Sequence, residues 1–285
     1  MDEIRHTGDT THRAESMRRI QFIEFHDQPW FPSSVRDYVT DALQFGFNLF
    51  NVYAPIVPLL QRVTESTGSQ SIVDMCSGAG GPWVRLSKAL DCRKRPGDPP
   101  ALQICLTDKY PNLGAFEKVR SACDGRIRFY PGSVDATNVP RELNGLRTMF
   151  TSFHHFLPDA GRAILQDAVD AGEGIGIFEI PSRSPSAICL TFGFVLALFV
   201  CTPWIHPFRW SRLLWTYLLP IIPFVLLFDG VVSCLRTYRP QEMLEIVDRL
   251  TANDYQWEAG ELPTRFVPIT YLIGYPRASS RELAR

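Results

Sequence analysis

The sequence has no excess of charge of either sign: Lys and Arg total 29 against 30 Asp and Glu, a formal net charge of −1. That balance argues against a general nucleic-acid binder, whose surface would be basic. Its seven cysteines show neither paired framework spacing nor a Cys-x-x-Cys, so reduced thiols in a cytosol-facing domain are expected rather than a disulfide scaffold. No His-x-x-x-His occurs either, and no metal centre is expected. Residues 1–19 are charged and lack an apolar core, so no signal peptide is expected there. Long hydrophobic runs are also missing, since none reaches the roughly 20 residues that a spanning helix wants. At 285 residues and 32.3 kDa, one α/β domain with a cap and an insertion fits the length.

What is present begins at Ser71-Ile72-Val73-Asp74-Met75-Cys76-Ser77-Gly78-Ala79-Gly80-Gly81-Pro82. A β-branched apolar run ends in an acid, breaks into small residues, and gives way to helix-compatible sequence from Trp83 to Leu90. This strand–turn–helix unit places a nucleotide-like ligand at the carboxyl edge of a parallel sheet. Glycine matters there because a Cβ blocks the approach of backbone to ligand. A dinucleotide site wants G-x-G-x-x-G, yet Trp83 stands where the third glycine belongs. Asp74 would repel a pyrophosphate and suits the cationic amino group of an amino-acid-like ligand.

Strand-like runs follow at Leu102–Leu106, Ile127–Tyr130, Leu146–Ser152 and Gly174–Ile180, alternating with helical patterns. That order predicts a doubly wound parallel sheet. Asp108, at the end of the second run, is placed to take both hydroxyls of a ribose, or else serves as a turn or helix-capping residue before Pro111. Asp135 follows the third run and reads equally as turn chemistry. The fourth run leads into Phe153-His154-His155-Phe156-Leu157-Pro158-Asp159. A histidine can accept a hydroxyl proton near neutral pH, while at least one of the pair packs or bonds to backbone. Joint metal ligation is disfavoured, since adjacent strand residues point to opposite faces. Gln241–Leu250 reads as a helix, Tyr255–Glu258 as a strand and Phe266–Ile273 as another, which suggests a terminal hairpin.

Read as Asp74-x-Cys76-x-Gly78-x-Gly80, the loop resembles motif I, D/E-x-G-x-G-x-G, of the class I S-adenosylmethionine (SAM)-dependent methyltransferases, with Cys76 in place of the first glycine. The resemblance spans about Ser71–Tyr275. It implies an α/β fold with a doubly wound, seven-stranded, mostly parallel sheet, an antiparallel last strand and a helical cap before motif I. It also implies SAM as cofactor, held by Asp74, Cys76, Ser77, Gly78 and Gly80, by Asp108 and Lys109, by Asp135 with the small Ala136, and by Phe153. In many small-molecule O-methyltransferases a histidine after the fourth strand faces the methyl donor. His154 is the closer match to that catalytic position and His155 the substitute. No Asn-Pro-Pro-Tyr-like motif or basic strip points to nucleic-acid or protein methylation.

One large interruption departs from the family. Where a short crossover would do, two apolar segments occur, Ala187–Thr202 and Leu213–Phe228, the second broken by Pro220 and Pro223. Their connector carries Trp204, Arg209, Trp210 and Arg212, and tryptophan beside arginine suits a membrane interface. Arg183, Arg236 and Arg239 lie outside the pair, so basic residues flank both sides and no two-pass topology follows. A monotopic or re-entrant hairpin through 187–228, on the cytoplasmic face of a membrane, is favoured over a full span. A soluble lid over a greasy pocket, or a homodimer interface, is the alternative.

The division expected is a disordered 1–16, a helical cap 17–69, a SAM-binding core 70–182, the apolar insertion 183–236, the remainder of the core 237–275 and a basic tail 276–285. Within the cap, Val35, Tyr38, Val39, Leu43 and Phe47 recur at helical spacing, as do Ile56, Leu59, Leu60 and Val63. Glu24, His26 and Asp27 either face the pocket or are solvated helix-end residues. The function expected is methyl transfer from SAM to a lipophilic small molecule or lipid, at oxygen before nitrogen or carbon. A non-catalytic membrane-associated SAM-binding protein and an NAD(P)-dependent oxidoreductase are the other classes.

Overall fold

The computed structural model describes residues 17–91, 102–123, 125–251 and 254–277. The expected disordered start and all but the first two residues of the basic tail lie outside them. Seven strands form one sheet in the order β3-β2-β1-β4-β5-β7-β6. They are β1 (Ser71–Met75), β2 (Gln103–Leu106), β3 (Ile127–Phe129), β4 (Leu146–Phe150), β5 (Ile175–Glu179), β6 (Tyr255–Leu262) and β7 (Ile269–Pro276). The first five are parallel to one another, while β7 runs antiparallel between β5 and β6. This is the doubly wound sheet and terminal hairpin that the local pattern leads one to expect, with the antiparallel last strand that the family resemblance implies.

Strands β4 and β5 are buried at every position, as central parallel strands covered on both faces must be. One face is covered by α2 (Val57–Thr67), α3 (Trp83–Asp91) and α4 (Leu113–Ala122), the other by α5 (Pro158–Asp170) and α9 (Pro240–Val247). Pro158 and Pro240 each open their helix, where a missing N–H costs nothing. Several strand limits differ from expectation, most of all at β6, which runs four residues further to Leu262, and two of the shifts have a local cause. β4 stops at Phe150, because Thr151 adopts φ +46 and turns the chain. β7 starts at Ile269 rather than Phe266, after Pro268, which has no N–H for a ladder bond.

The cap helix α1 (Ser33–Phe50) does not pack on the sheet alone. Val35, Tyr38, Val39 and Ala42 of α1 share a core with Val195 and Leu198 of α6 (Pro185–Cys201) and with Ile222 and Val225 of α8 (Ile221–Arg236). Cap and insertion therefore bury one another. The second apolar segment is split at Pro220. A short helix α7 (Trp210–Leu213), prolonged by a π turn to Leu218, meets α8 at 72°. Pro223 sits in the first turn of α8, where it is tolerated.

Among the described residues, one helical stretch, Pro185–Trp204, is long and apolar enough to cross a membrane. Up to three are, if each of two sharply bent helix pairs counts as one span. Large side chains on the two arms and their connector face outward, with Leu196 69%, Trp210 79% and Leu218 72% exposed. The arginines correct the sequence reading. Arg183 and Arg236 are buried and paired with Glu242 and with Glu24 and Asp27, and Arg212 is buried against Asp41 of α1. They tie the insertion to the protein and do not mark its borders.

Candidate active site

The loop after β1 is built on left-handed backbone. Cys76, Gly78, Gly80 and Gly81 have φ of +55, +56, +96 and +47. Cys76 thus holds a conformation that favours glycine, which gives a physical reason for glycine at this place in the motif. Gly80 also has to be small, since a Cβ there would lie 2.7 Å from Cγ2 of the buried Val119 in α4. Trp83, at the would-be third glycine, is fully buried with its ring edge-on to Phe150.

Asp74 does not open onto this loop; it lies beneath it. The side chain is 1% exposed, with Oδ2 accepting from Ser77 Oγ at 2.6 Å and Oδ1 from Thr148 Oγ1 at 2.7 Å. Direct contact with a ligand's amino group is not the role this geometry offers, because burial and the two hydroxyls make Asp74 and Ser77 a support for the turn. Desolvation pushes the Asp74 carboxyl up to about 7 against the opposing effect of the two hydroxyls. The protonated form is thus favoured by the fold, so stability is complete below the ordinary carboxylate pKa and falls as pH rises towards 7. Asp74→Asn removes that titration. Its unfolding free energy, by urea denaturation between pH 4 and 7, is expected to fall less with rising pH than that of wild type.

Asp108 joins the two strand ends. Its Oδ2 accepts from Gly78 N and its Oδ1 from Tyr110 N, both at 2.8 Å, while α4 is capped by Asn112 instead. Lys109 pairs with Asp135 at 3.2 Å, and Asp135 also accepts from Thr137 N and Oγ1 in a tight turn. Those Thr137 bonds, with Lys109, hold the Asp135 carboxyl below its usual value. Ala136 and Phe153 are buried. The sheet edge thus gathers Cys76, Gly78, Asp108, Lys109 and Asp135, while Asp74, Ala136 and Phe153 lie under the surface.

Helix α1 crosses over this edge. A Cβ on Gly78 would stand 3.5 Å from Thr40 Cγ2, the Arg36 guanidinium lies 4.5 Å from the Tyr110 ring centre, and Asn48 Nδ2 donates to Gly81 O. On its other flank Val39, Leu43, Gly46 and Phe47 line an apolar cavity of about 380 Å³ that α6 and α8 complete. The polar end of the cavity is formed by His26, Thr151, His154, His155, Asp229 and Ser233. Its lining includes none of residues 74–136.

His154 and His155 do not lie on a strand. They close a single 3-10 turn, Phe153–His155, with ring centres 4.2 Å apart, so the opposite-faces argument against joint ligation does not apply. His154 is 1% exposed; its Nδ1 is hydrogen-bonded to Glu179 Oε2, and its Nε2 has no hydrogen-bond partner. Glu179 ends β5 and accepts from Ser152 N at 2.9 Å and Phe153 N at 2.7 Å through Oε1. Desolvation disfavours its charge, but His154 and these N–H groups outweigh that and keep the carboxyl below its usual range. An ionised Glu179 places the proton of neutral His154 on Nδ1 and leaves Nε2 as an acceptor. Close by, Thr151 is a β-branched residue at positive φ, bonded to Tyr53 OH, and strain of this kind gathers at functional sites.

The segment before α1 reaches the same place. Glu24 is fully buried, while His26 and Asp27 are partly covered. Of these three, His26 lines the cavity, while Glu24 and Asp27 stand behind it against His155 and Arg236. His155 Nδ1 lies 2.9 Å from Asp27 Oδ1 and 3.3 Å from Glu24 Oε2. His26 Nδ1 lies 2.9 Å from Oδ2 of Asp229, which also accepts from Phe25 N and His26 N. Burial opposes the charge on His26, but the Asp229 bond and the Glu24 and Asp27 charges push its pKa up to about 9. Arg236 Nη1 reaches Glu24 at 3.1 Å and Asp27 at 2.8 Å. Sequence reading missed Glu179 as the partner of His154, and missed Asp229 and Arg236 altogether as site residues. A lone acid at the end of an apolar strand, and charges within an apolar helix, were the available signals.

No protein-family model and no curated protein matches this sequence. Solved structures do resemble it. PigF with SAH is 19% identical at a TM-score of 0.47, covering 87% of this chain and 63% of its own. The pyocyanin biosynthetic protein PhzM is 17% identical at 0.45, covering 80% and 55%. NcsB1, an O-methyltransferase from neocarzinostatin biosynthesis in complex with SAM and 2-hydroxy-5-methyl naphthoic acid, is 13% identical at 0.43, covering 78% and 56%. The chain spans less than two thirds of the length of each. All three TM-scores lie below 0.5, and the fold assignment rests on the sheet order instead.

Proposed function

We propose that this chain is a SAM-dependent methyltransferase whose acceptor is a lipophilic small molecule or lipid bearing a hydroxyl group. The observation that carries the reading is His154 in the wall of an apolar cavity, held by Glu179 through Nδ1, its Nε2 without a hydrogen bond and 3.8 Å from Glu24 Oε1, on the turn after β4, the strand that pairs with β1 ahead of the left-handed glycine turn. The sheet edge fits an adenosyl ligand. The positive φ values at Gly78 and Gly80 keep backbone low where a ligand would lie, and Asp108 is partly exposed at the end of β2, with lone pairs left for ribose hydroxyls.

SAM, when bound, supplies an electrophilic methyl group on a sulfonium. The chain's own residues do the rest. Apolar side chains of α1, α6 and α8 take up the acceptor and exclude water. His154 Nε2 accepts the hydroxyl proton, while Glu179 fixes the tautomer and steadies the imidazolium that forms. An acceptor carboxylate, ionised at pH 7, would need no base and would only be oriented. Titration calorimetry with SAM tests the core of the reading: binding is expected, and Asp108→Ala should weaken it about 10- to 150-fold, as loss of a hydrogen-bonded charge does. Absence of SAM binding with NAD(P) binding in its place would overturn it. A lipid-extract screen with methyl-labelled SAM then identifies the acceptor.

The outward apolar side chains of α6, the connector and α7, beside the exposed Arg209, support a place at the cytosolic face of a bilayer, from which the cavity takes its acceptor. A patch of this kind left in water would aggregate. In liposome flotation the protein is expected to rise with the vesicles, and Leu196→Glu/Trp210→Glu/Leu218→Glu to stay in the soluble fraction. Equal recovery of both in the soluble fraction would sink the membrane assignment.

A further inference from the structure

Four side chains with metal-ligating atoms converge beside the cavity, Glu24, His26, Asp27 and His155, of which the two histidines line it. Their candidate ligand atoms all lie within 4.8 Å of one another. The individual gaps are 2.9 Å from His155 Nδ1 to Asp27 Oδ1, 3.3 Å from His155 Nδ1 to Glu24 Oε2, and 3.9 Å from His26 Nε2 to Asp27 Oδ1. Four donors at tetrahedral bond lengths of about 2.1 Å stand about 3.4 Å apart, so small rotations of these side chains would close the set on one ion.

An independent observation points to a cation here. Glu24 is fully buried, and its Oε2, the oxygen facing His155, has no hydrogen-bond partner. Leaving a buried carboxylate oxygen without a donor is costly. Arg236 Nη1 reaches Glu24 through Oε1 and Asp27 through Oδ2, which leaves Glu24 Oε2 and Asp27 Oδ1 turned to the histidines. The surroundings are those of an orienting shell. Asp229 takes the Nδ1 side of His26 and leaves Nε2 towards Asp27, which is the carboxylate–histidine arrangement that fixes metal-bound imidazoles.

We propose that Glu24, His26, Asp27 and His155 bind one divalent transition-metal ion. Two imidazole nitrogens with two carboxylate oxygens are donors for zinc, iron(II) or manganese(II) rather than for magnesium or calcium. The ion would sit beside His154, whose ring centre is 4.2 Å from that of His155. A part in orienting the acceptor rests on the methyltransferase reading; the binding itself does not.

The test uses the untagged full chain, stripped with EDTA, titrated with ZnCl2, MnCl2 and MgCl2, and analysed for metal after gel filtration. Wild type is expected to retain one zinc or manganese per chain and no magnesium. Asp27→Asn and Glu24→Gln, with SAM binding as the check on folding, are expected to weaken retention at least 100-fold. Should either variant fail to fold, wild type loaded with CoCl2 decides: bands of nitrogen- and oxygen-ligated cobalt that zinc abolishes support the site, and their absence overturns it. No retention by wild type, retention of magnesium alone, or equal zinc retention by folded variants also overturns it. Failure of metal binding with SAM binding intact removes this inference alone, whereas failure of SAM binding with metal retained removes only the methyltransferase reading.

Discussion

His154→Ala is expected to lower kcat for methyl transfer by about 10²- to 10⁴-fold, the range for removing a positioned general base. SAM affinity should change by no more than about twofold, because the side chain belongs to the acceptor cavity and not to the loop after β1. Glu179→Gln is the companion. It keeps the shape but removes the charge that Ser152 N, Phe153 N and His154 share, so the tautomer of His154 is no longer enforced and kcat should fall by at least tenfold. Single-turnover assays on the acceptor found by the lipid screen read both. A His154→Ala enzyme with undiminished kcat would remove the residue from catalysis and point to an acceptor that is already ionised.

Gly80→Ala has the largest effect expected on the cofactor side. Two penalties coincide there. An L-residue at φ +96 is strained whatever its size. Its Cβ would also press to 2.7 Å against Val119, a buried β-branched side chain with little rotamer freedom. The turn must shift, and with it the backbone that approaches the ligand. We expect SAM affinity to drop at least 30-fold and stability by about 2–4 kcal/mol. Gly81→Ala is the control, since φ +47 is a left-handed value that ordinary residues reach and nothing lies within 4 Å of its Cβ. Its affinity should stay within about threefold of wild type. Calorimetry and thermal melts of the two variants separate close packing from backbone strain.

Much of this architecture was legible in the residues. Asp74, Asp108 and Glu179 stand where apolar runs stop, and the late pair of strands has no helix between them, so the doubly wound parallel sheet and the terminal hairpin followed from local pattern, while the antiparallel last strand came from the family resemblance. Side-chain direction was not legible. Asp74 is the penultimate residue of β1 and Asp108 follows β2 by two residues, yet one turns under the loop and the other onto it. The histidine pair was misread because one residue of positive φ, Thr151, ends β4 early and converts the following segment into a turn. The links that complete the acceptor end are long in range. Asp229 with His26, and Arg236 with Asp27, join partners 203 and 209 residues apart. In the sequence Asp229 and Arg236 looked like the tail of a greasy stretch and its flanking charge. Their pairing depends on α8 packing against the cap, which no periodicity encodes.

Helix α1 has one more consequence. It touches the glycine turn and Tyr110 on one flank and forms the apolar cavity on the other. Both compartments therefore share a single roof beam. On the proposed methyltransferase function, a motion that raises it for one ligand would loosen its hold on the other and so couple their arrival and departure. In kinetic terms this architecture favours an ordered sequence of binding and release over independent exchange.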